Sequence, residues 1–336
     1  MTAVFPGAVK TFTTRNAGDE VDESHVNDLQ DEVTAVETGA LRMHFGDGSD
    51  GATDMNGVNT FASFASLVGS TYTLTRDIYP SVLTVRAGVT LKTAGFKVFA
   101  SNAVTIETTG IVSNAGEPGT AASGATPGTA GASGGGGSTK APPVAQNGST
   151  GAGSNGATEA VSAGGSSGFD GGNGAFPGGF GGVATALPAA NGGIHNLTTV
   201  SLWRAFSAAA VGAFGYHAGN GGAGGGTADE GTPGAGGGSG GNGGYIVIFS
   251  PIITNAGSIT VNGGAGGAGG NATGDGSGGG GGSGGNGGIV ALACLSRSGN
   301  SPTVSGGSGA AGGSGAPSGG SGPNGRDGLI IELKPV

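Results

Sequence analysis

The sequence predicts a mainly β, glycine-rich fold in which packed glycine helices alternate with short strands. Three observations carry that prediction. First, a glycine-asparagine or related motif runs into an apolar stretch three times, at 245–249, 289–293 and 329–333, beginning 44 and then 40 residues apart. Repeats of that length are typical of supersecondary units that stack on one another. Second, side chains recur every third residue between glycine pairs, as in Ala265, Ala268 and Asn271, or Ser239, Asn242 and Tyr245. Third, the chain holds 83 glycines in 336 residues while only 10% of residues are charged.

The period of three matches the extended polyproline-II-type helix, which makes no hydrogen bonds within itself. Where two of its three faces carry no side chain, neighbouring backbones approach closely and bond to one another. Collagen fits poorly, because it requires one glycine in three and abundant proline, and only 14 prolines are present. The competing reading of such a composition is disorder. Chains that stay unfolded are kept so by high charge and low hydrophobicity, and neither describes this one.

Taken in order, residues 1–21 read as an extended attachment segment. Asp19, Glu20, Asp22 and Glu23 then precede a helix over 22–44, where carboxylates suit the positive end of the helix dipole. Val26, Leu29, Val33, Val36, Ala40 and Met43 follow at heptad spacing and form an oligomerisation seam. So short a helix, with so narrow a stripe, makes sense packed on copies of itself as a coiled coil. The alternative is one helix resting on a local sheet.

Residues 45–115 read as a small β-solenoid-like layer. Thr71–Thr75, Val82–Val85, Val89–Lys92, Phe96–Phe99, Val104–Ile106 and Ile111–Val112 are short strand patterns. Ala87-Gly88, Ala94-Gly95 and Thr109-Gly110 separate them. The piece Gly110–Gly116 recurs as Gly257–Gly263, so the strand layer and the glycine region share a building rule. Residues 116–336 form the glycine-rich repeat domain, of polyglycine-II type. It is interrupted near 194–217, where Val200, Trp203, Phe206 or Ser207, Ala210 and Phe214 would share one face of a short amphipathic helix.

Composition excludes several function classes. The net charge of −9 argues against nucleic acid or anionic membranes as partners. No apolar run approaches the ~20 residues of a membrane span, and no secretory signal pattern is visible at residue 1. The single cysteine, Cys294, rules out an internal disulfide framework and reads as a packed thiol.

Catalytic chemistry is not indicated. Gly-x-Gly-x-x-Gly matches are uninformative here without a strand–loop–helix context. His25, His44, His195 and His217 lack metal-ligand spacing, so neither a metal nor a cofactor is expected. Asp47, Asp50 and Asp54 fit tight turns better than a cation loop. Asp229-Glu230 reads as a solvated pair rather than a glycosidase dyad.

The lead-in Phe5-Pro6-Gly7 and Phe12-Thr13, the acidic short helix and Gly46-Asp47-Gly48-Ser49-Asp50-Gly51 come in a telling order. With Leu83–Val85, Gly95–Phe99 and the strand–Asn–Gly–Gly units, that order resembles the glycine-rich tail fibre and receptor-binding proteins of tailed bacteriophages. The resemblance implies a homotrimer in the virion tail, assembled in the host cytoplasm and attached to other tail proteins through its N-terminal segment. It further implies contact with a bacterial surface glycan or protein. A tail enzyme that cleaves polysaccharide and an ice-binding glycine-helix protein are the alternatives. Binding hot spots favour Trp, Tyr and Arg, which makes Trp203, Arg204, Phe206, Tyr216 and His217 the candidate receptor-binding residues. The competing role for Trp203, Phe206 and Phe214 is to plug the centre of the trimer.

Overall fold

The computed structural model describes residues 45–138, 232–274, 276–316 and 318–333, together with Asn27, Gln30 and Val33. The heptad seam of the expected coiled coil therefore lies outside the described residues except at Val33, which is exposed. Asn27, Gln30, Val33 and Phe45 are helical, but no whole helix lies among the described residues, whose elements are fourteen short strands.

Those strands form three sheets, and the chain visits them in turn as it coils. The first sheet is ordered β1 (Ala52–Met55), β4 (Val82–Val85), β7 (Ala103–Ile106), β10 (Ile252–Asn255), β13 (Ser296–Gly299), all parallel. The second is ordered β11 (Ser258–Thr260), β8 (Ile111–Ser113), β5 (Thr90–Lys92), β3 (Thr71–Leu74), β2 (Ala65–Val68). Its last pair is an antiparallel hairpin that covers one end. The third is ordered β14 (Leu329–Leu333), β12 (Ile289–Ala293), β9 (Tyr245–Phe249), β6 (Val98–Phe99) and is wholly parallel. Five turns result, and the sheets run straight across position 115.

Each strand turns one set of side chains inward, and equivalent residues stack from turn to turn. Leu83, Val104 and Ile253 are in register on the first sheet. Leu91, Val112 and Ile259 are in register on the second, and Val98, Ile248 and Leu292 on the third. All nine are fully buried in a single core. The third sheet is buried on its other face as well, which is why β9 and β12 are apolar at every position rather than alternating. On that face Tyr79, Phe99 and Phe249 stack, with ring centroids 5.2 and 5.1 Å apart and planes within 10° of parallel. Cys294 is buried in the core, as its apolar setting predicts.

The coil has one expanded corner. In the second turn the path from β5 to β6 is short, but in the third, fourth and fifth turns the chain leaves the corresponding corner on a long glycine-rich excursion. The excursions lie side by side as seven extended rods: 114–122, 128–136, 233–244, 261–272, 277–288, 303–314 and 318–328. Rods one, four and six run outward in one layer; rods two, three, five and seven form the other. Backbone bonds join them at every third residue. Gly116, Gly119 and Ala122 donate to the carbonyls of Asn262, Ala265 and Ala268 at 2.8–2.9 Å, and Gly237, Gly240 and Gly243 donate to Gly280, Ser283 and Asn286 at 2.8–2.9 Å. Gly241, Gly264, Gly285 and Gly307 then stitch the layers together, each to the next.

Close approach explains the glycines. A Cβ at Gly240 would overlap the carbonyl of Gly264, and one at Gly285 would overlap that of Gly241. The remaining position of each triplet points away from these contacts and is where Ser239, Asn242, Ala265 and Ser283 sit. Because these bonds are inside the array, the amides of Gly240, Gly264 and Gly285 should exchange with solvent at least ~10³-fold more slowly than in an unfolded peptide of the same sequence. Mass-spectrometric or NMR exchange would measure it, and exchange at the free-peptide rate would sink it.

Candidate functional site

Among the described residues, the turns that join outgoing to returning rods lie at the end of the array away from the coil. In the first, Ser123 and Thr126 bond to each other's backbone at 2.9–3.0 Å. The second passes through Thr273 and Gly274 to Gly276, with Gly274 at φ +60°; the third passes through Ser314, Gly315 and Ala316. These turns are tied into one tip. Ala235 donates to Gly124 at 2.7 Å, Thr232 and Thr273 exchange bonds at 3.0–3.1 Å, and Ala272 donates to Ser314 at 2.8 Å. Ala316 donates to Gly276 at 2.9 Å. Ser123, Thr126, Thr232, Thr273, Ser314 and Ala316 are all exposed. The described tip therefore offers hydroxyls, methyls and backbone groups, on turns that are hydrogen-bonded into the rods behind them.

A row of asparagines fixes the register behind that tip. Asn286 donates its amide N–H to Asn242 Oδ1 at 2.9 Å, and Arg326 donates its N–H to Asn286 Oδ1 at 2.8 Å. Asn262 and Asn271 accept in the same way from Ser305 and Ser314, at 2.9 and 2.8 Å. This accounts for the asparagine in the repeated motif ahead of the first two apolar runs, at 245–249 and 289–293. Its carboxamide reaches one rod further along the stack, just before the strand begins. Asn114 does the same work at the corner, donating from Nδ2 to the carbonyl of Tyr245 at 3.0 Å.

Charged groups of the described coil pair locally. Asp50 pairs with Arg76 and accepts the Tyr79 amide at 2.7 Å. Arg86 bridges Asp54 and Glu107 at 2.7 Å each, and Lys92 pairs with Glu117 at 3.3 Å. Asp47 Oδ1 accepts from the Ser49 amide, so the three aspartates of 47–54 serve separate local partners. Among the described residues no group of three or more His, Cys, Asp or Glu is placed to hold a metal.

Burial pushes the Asp50 carboxyl up, but the Arg76 guanidinium and the Tyr79 amide outweigh it and hold the group below its ordinary value. Glu107 is held down by Arg86 first and the Ala87 amide second. A depressed carboxylate stabilises the fold above its unfolded value, near pH 4, and that contribution is lost as pH falls through the folded value. Asp50→Asn should cost about 1–2 kcal/mol at pH 7 and flatten the melting curve's dependence on pH below ~4. Calorimetry from pH 7 to 2.5 tests both. Burial alone pushes Tyr245 up to about 12, so its phenol stays neutral well into alkali.

Trp203, Arg204, Phe206, Tyr216 and His217 lie outside the described residues, as do the four histidines and Asp229-Glu230. Reading the sequence for aromatic anchors missed the tip, whose signal is only a break in the glycine period at 123–127, 272–276 and 315–318. Among the described residues no helix is long and apolar enough to cross a membrane. No family model, curated protein or solved structure matches the chain.

Proposed function

We propose that this chain is a structural and binding component of a bacteriophage tail, a fibre or receptor-binding protein that contacts the host cell surface. The observation that carries the reading is the tip: three turns bonded to one another and held away from a three-sided parallel coil by rods bonded along their length. In this reading the coil is a β-solenoid and the rods are polyglycine-II helices. The β-solenoid supplies stiffness, the glycine array supplies reach, and the turns supply contact.

The rest follows from the resemblance. Three copies associate through the seam Val26, Leu29, Val33, Val36, Ala40 and Met43, and the segment 1–21 docks on other tail proteins. The ligand is a bacterial surface glycan or protein, with Trp203, Arg204, Phe206, Tyr216 and His217 as further contact residues. The protein acts by binding and needs no cofactor.

Two measurements test this. Mass spectrometry of purified virions should find the chain in the particle, and its absence would end the proposal. Thr126→Tyr combined with Thr273→Tyr should reduce adsorption to host cells at least ~10-fold, as expected when bulk is placed at the centre of a contact. Melting should not change, since both residues are exposed.

A further inference from the structure

The fifth turn, residues 296–333, departs from the turns before it at positions that would face a sixth. On the first sheet Arg297 is in register with Ile253, Val104 and Leu83, all inward-facing and fully buried. On the third sheet Glu332 is in register with Leu292, Ile248 and Val98, again the inward set. The two charged side chains meet across the end of the core, Arg297 Nη1 to Glu332 Oε1 at 2.9 Å. Inward-pointing charge on edge strands is a recognised barrier to further strand pairing.

The glycine array changes in the same turn. In rods three and five, Gly237, Gly240 and Gly243, and then Gly281, Gly284 and Gly287, occupy the position where a Cβ would overlap the carbonyls of the next outgoing rod. The equivalents in rod seven are Ser321, Asn324 and Asp327, all exposed. Two of these side chains fold back over rod six. Gly306 donates to Asp327 Oδ1 and Gly309 to Asn324 Oδ1, both at 2.9 Å. In rod four the corresponding amides, Gly263 and Gly266, donate instead to the backbone of the next rod, at Ser305 and Ser308.

The other end follows the same rule. Gly264 and Gly267 in rod four lie where a Cβ would overlap the carbonyls of rod one, and the matching positions in rod one are Glu117 and Thr120. Among the described residues rod one has no outgoing rod before it, and side chains return at these two positions.

We propose that the fifth turn is a terminator: its ion pair and its three rod-seven side chains close the open end against the strands and glycine rods of another copy. The surface is thus a contact that the sequence forbids, and the partner it excludes is a second copy of this chain. Removing the block should create association.

The test uses the full chain in two variants. One is Ser321→Gly with Asn324→Gly and Asp327→Gly; the other is Arg297→Ile with Glu332→Leu. Sedimentation velocity across 1–50 µM should show the native particle at constant mass and each folded variant moving to at least twice that mass. Unchanged mass in both variants overturns the proposal. A separate comparison does not depend on either variant folding. Ser321→Val should leave the melting temperature within ~2 °C of the parent, whereas Gly281→Val should lower it by 10 °C or more, as large losses of stability do. Equal damage from the two substitutions would show that position 321 is enclosed, and would equally overturn the proposal.

Discussion

Gly266→Val and Gly267→Val should each dismantle the glycine array, while Ala268→Ser next door should be nearly silent. A Cβ at Gly266 would overlap the carbonyl of Gly282, and one at Gly267 would overlap that of Thr120. Neither neighbour can yield, because both obstructing atoms belong to backbone rather than to flexible side chains. Rod four must then move away from rods one, three, five and six, to all of which it is bonded. Each lost bond costs about 1 kcal/mol when its groups find water again, and more if they stay buried. The expected loss is therefore over ~4 kcal/mol, in the range reserved for a named structural failure. Ala268 is exposed, and a hydroxyl there should change stability by under ~0.5 kcal/mol. Thermal and denaturant unfolding of the three variants settles it; a Gly267→Val protein as stable as the parent would mean the rods are not packed as described.

Phe249→Ala should cost about 3–5 kcal/mol, the range for deleting a large buried aromatic. Phe249 is 3% exposed and stacks on Phe99, which stacks in turn on Tyr79. The cavity cannot collapse easily, because the backbone of β9 is bonded on both sides, to β6 and β12. Tyr79→Ala, at the half-exposed end of the same stack, should cost less than half as much. Equal losses at the two positions would mean that stacking rather than burial sets the stability of this face.

Local pattern made part of this architecture legible. The runs at 245–249, 289–293 and 329–333 are strands at those bounds, and Val82–Val85 is one too. Apolar composition and flanking glycine suffice to mark them. The period of three likewise announces rods bonded at every third residue. Strands β1 and β13 were not legible. Asp54 reads as turn chemistry, and Ser296-Arg297-Ser298-Gly299 has no apolar alternation. Both are strands because a neighbour in the stack pairs with them, β4 in one case and β10 in the other. Nor does any local signal show that β8 and β11, with 144 residues between Ser113 and Ser258, share a sheet. What joins them is the coil, and a coil is recognised only when its turns are counted together. The tip was hidden for the opposite reason: it is made of common turn residues whose meaning comes from being brought side by side.

The orientation of the rods also sets how this molecule would carry a load. Hydrogen bonds between rods lie across the direction from coil to tip, so a pull on the tip along the rods strains them in shear. Many bonds then resist at once, as the threads of a rope do, instead of opening one after another as in a zipper. A sideways pull on one outer rod has only the last row to break at a time. The array is therefore strong along its length and weak across it, and the rope-like direction is the one that runs from the turns to the coil.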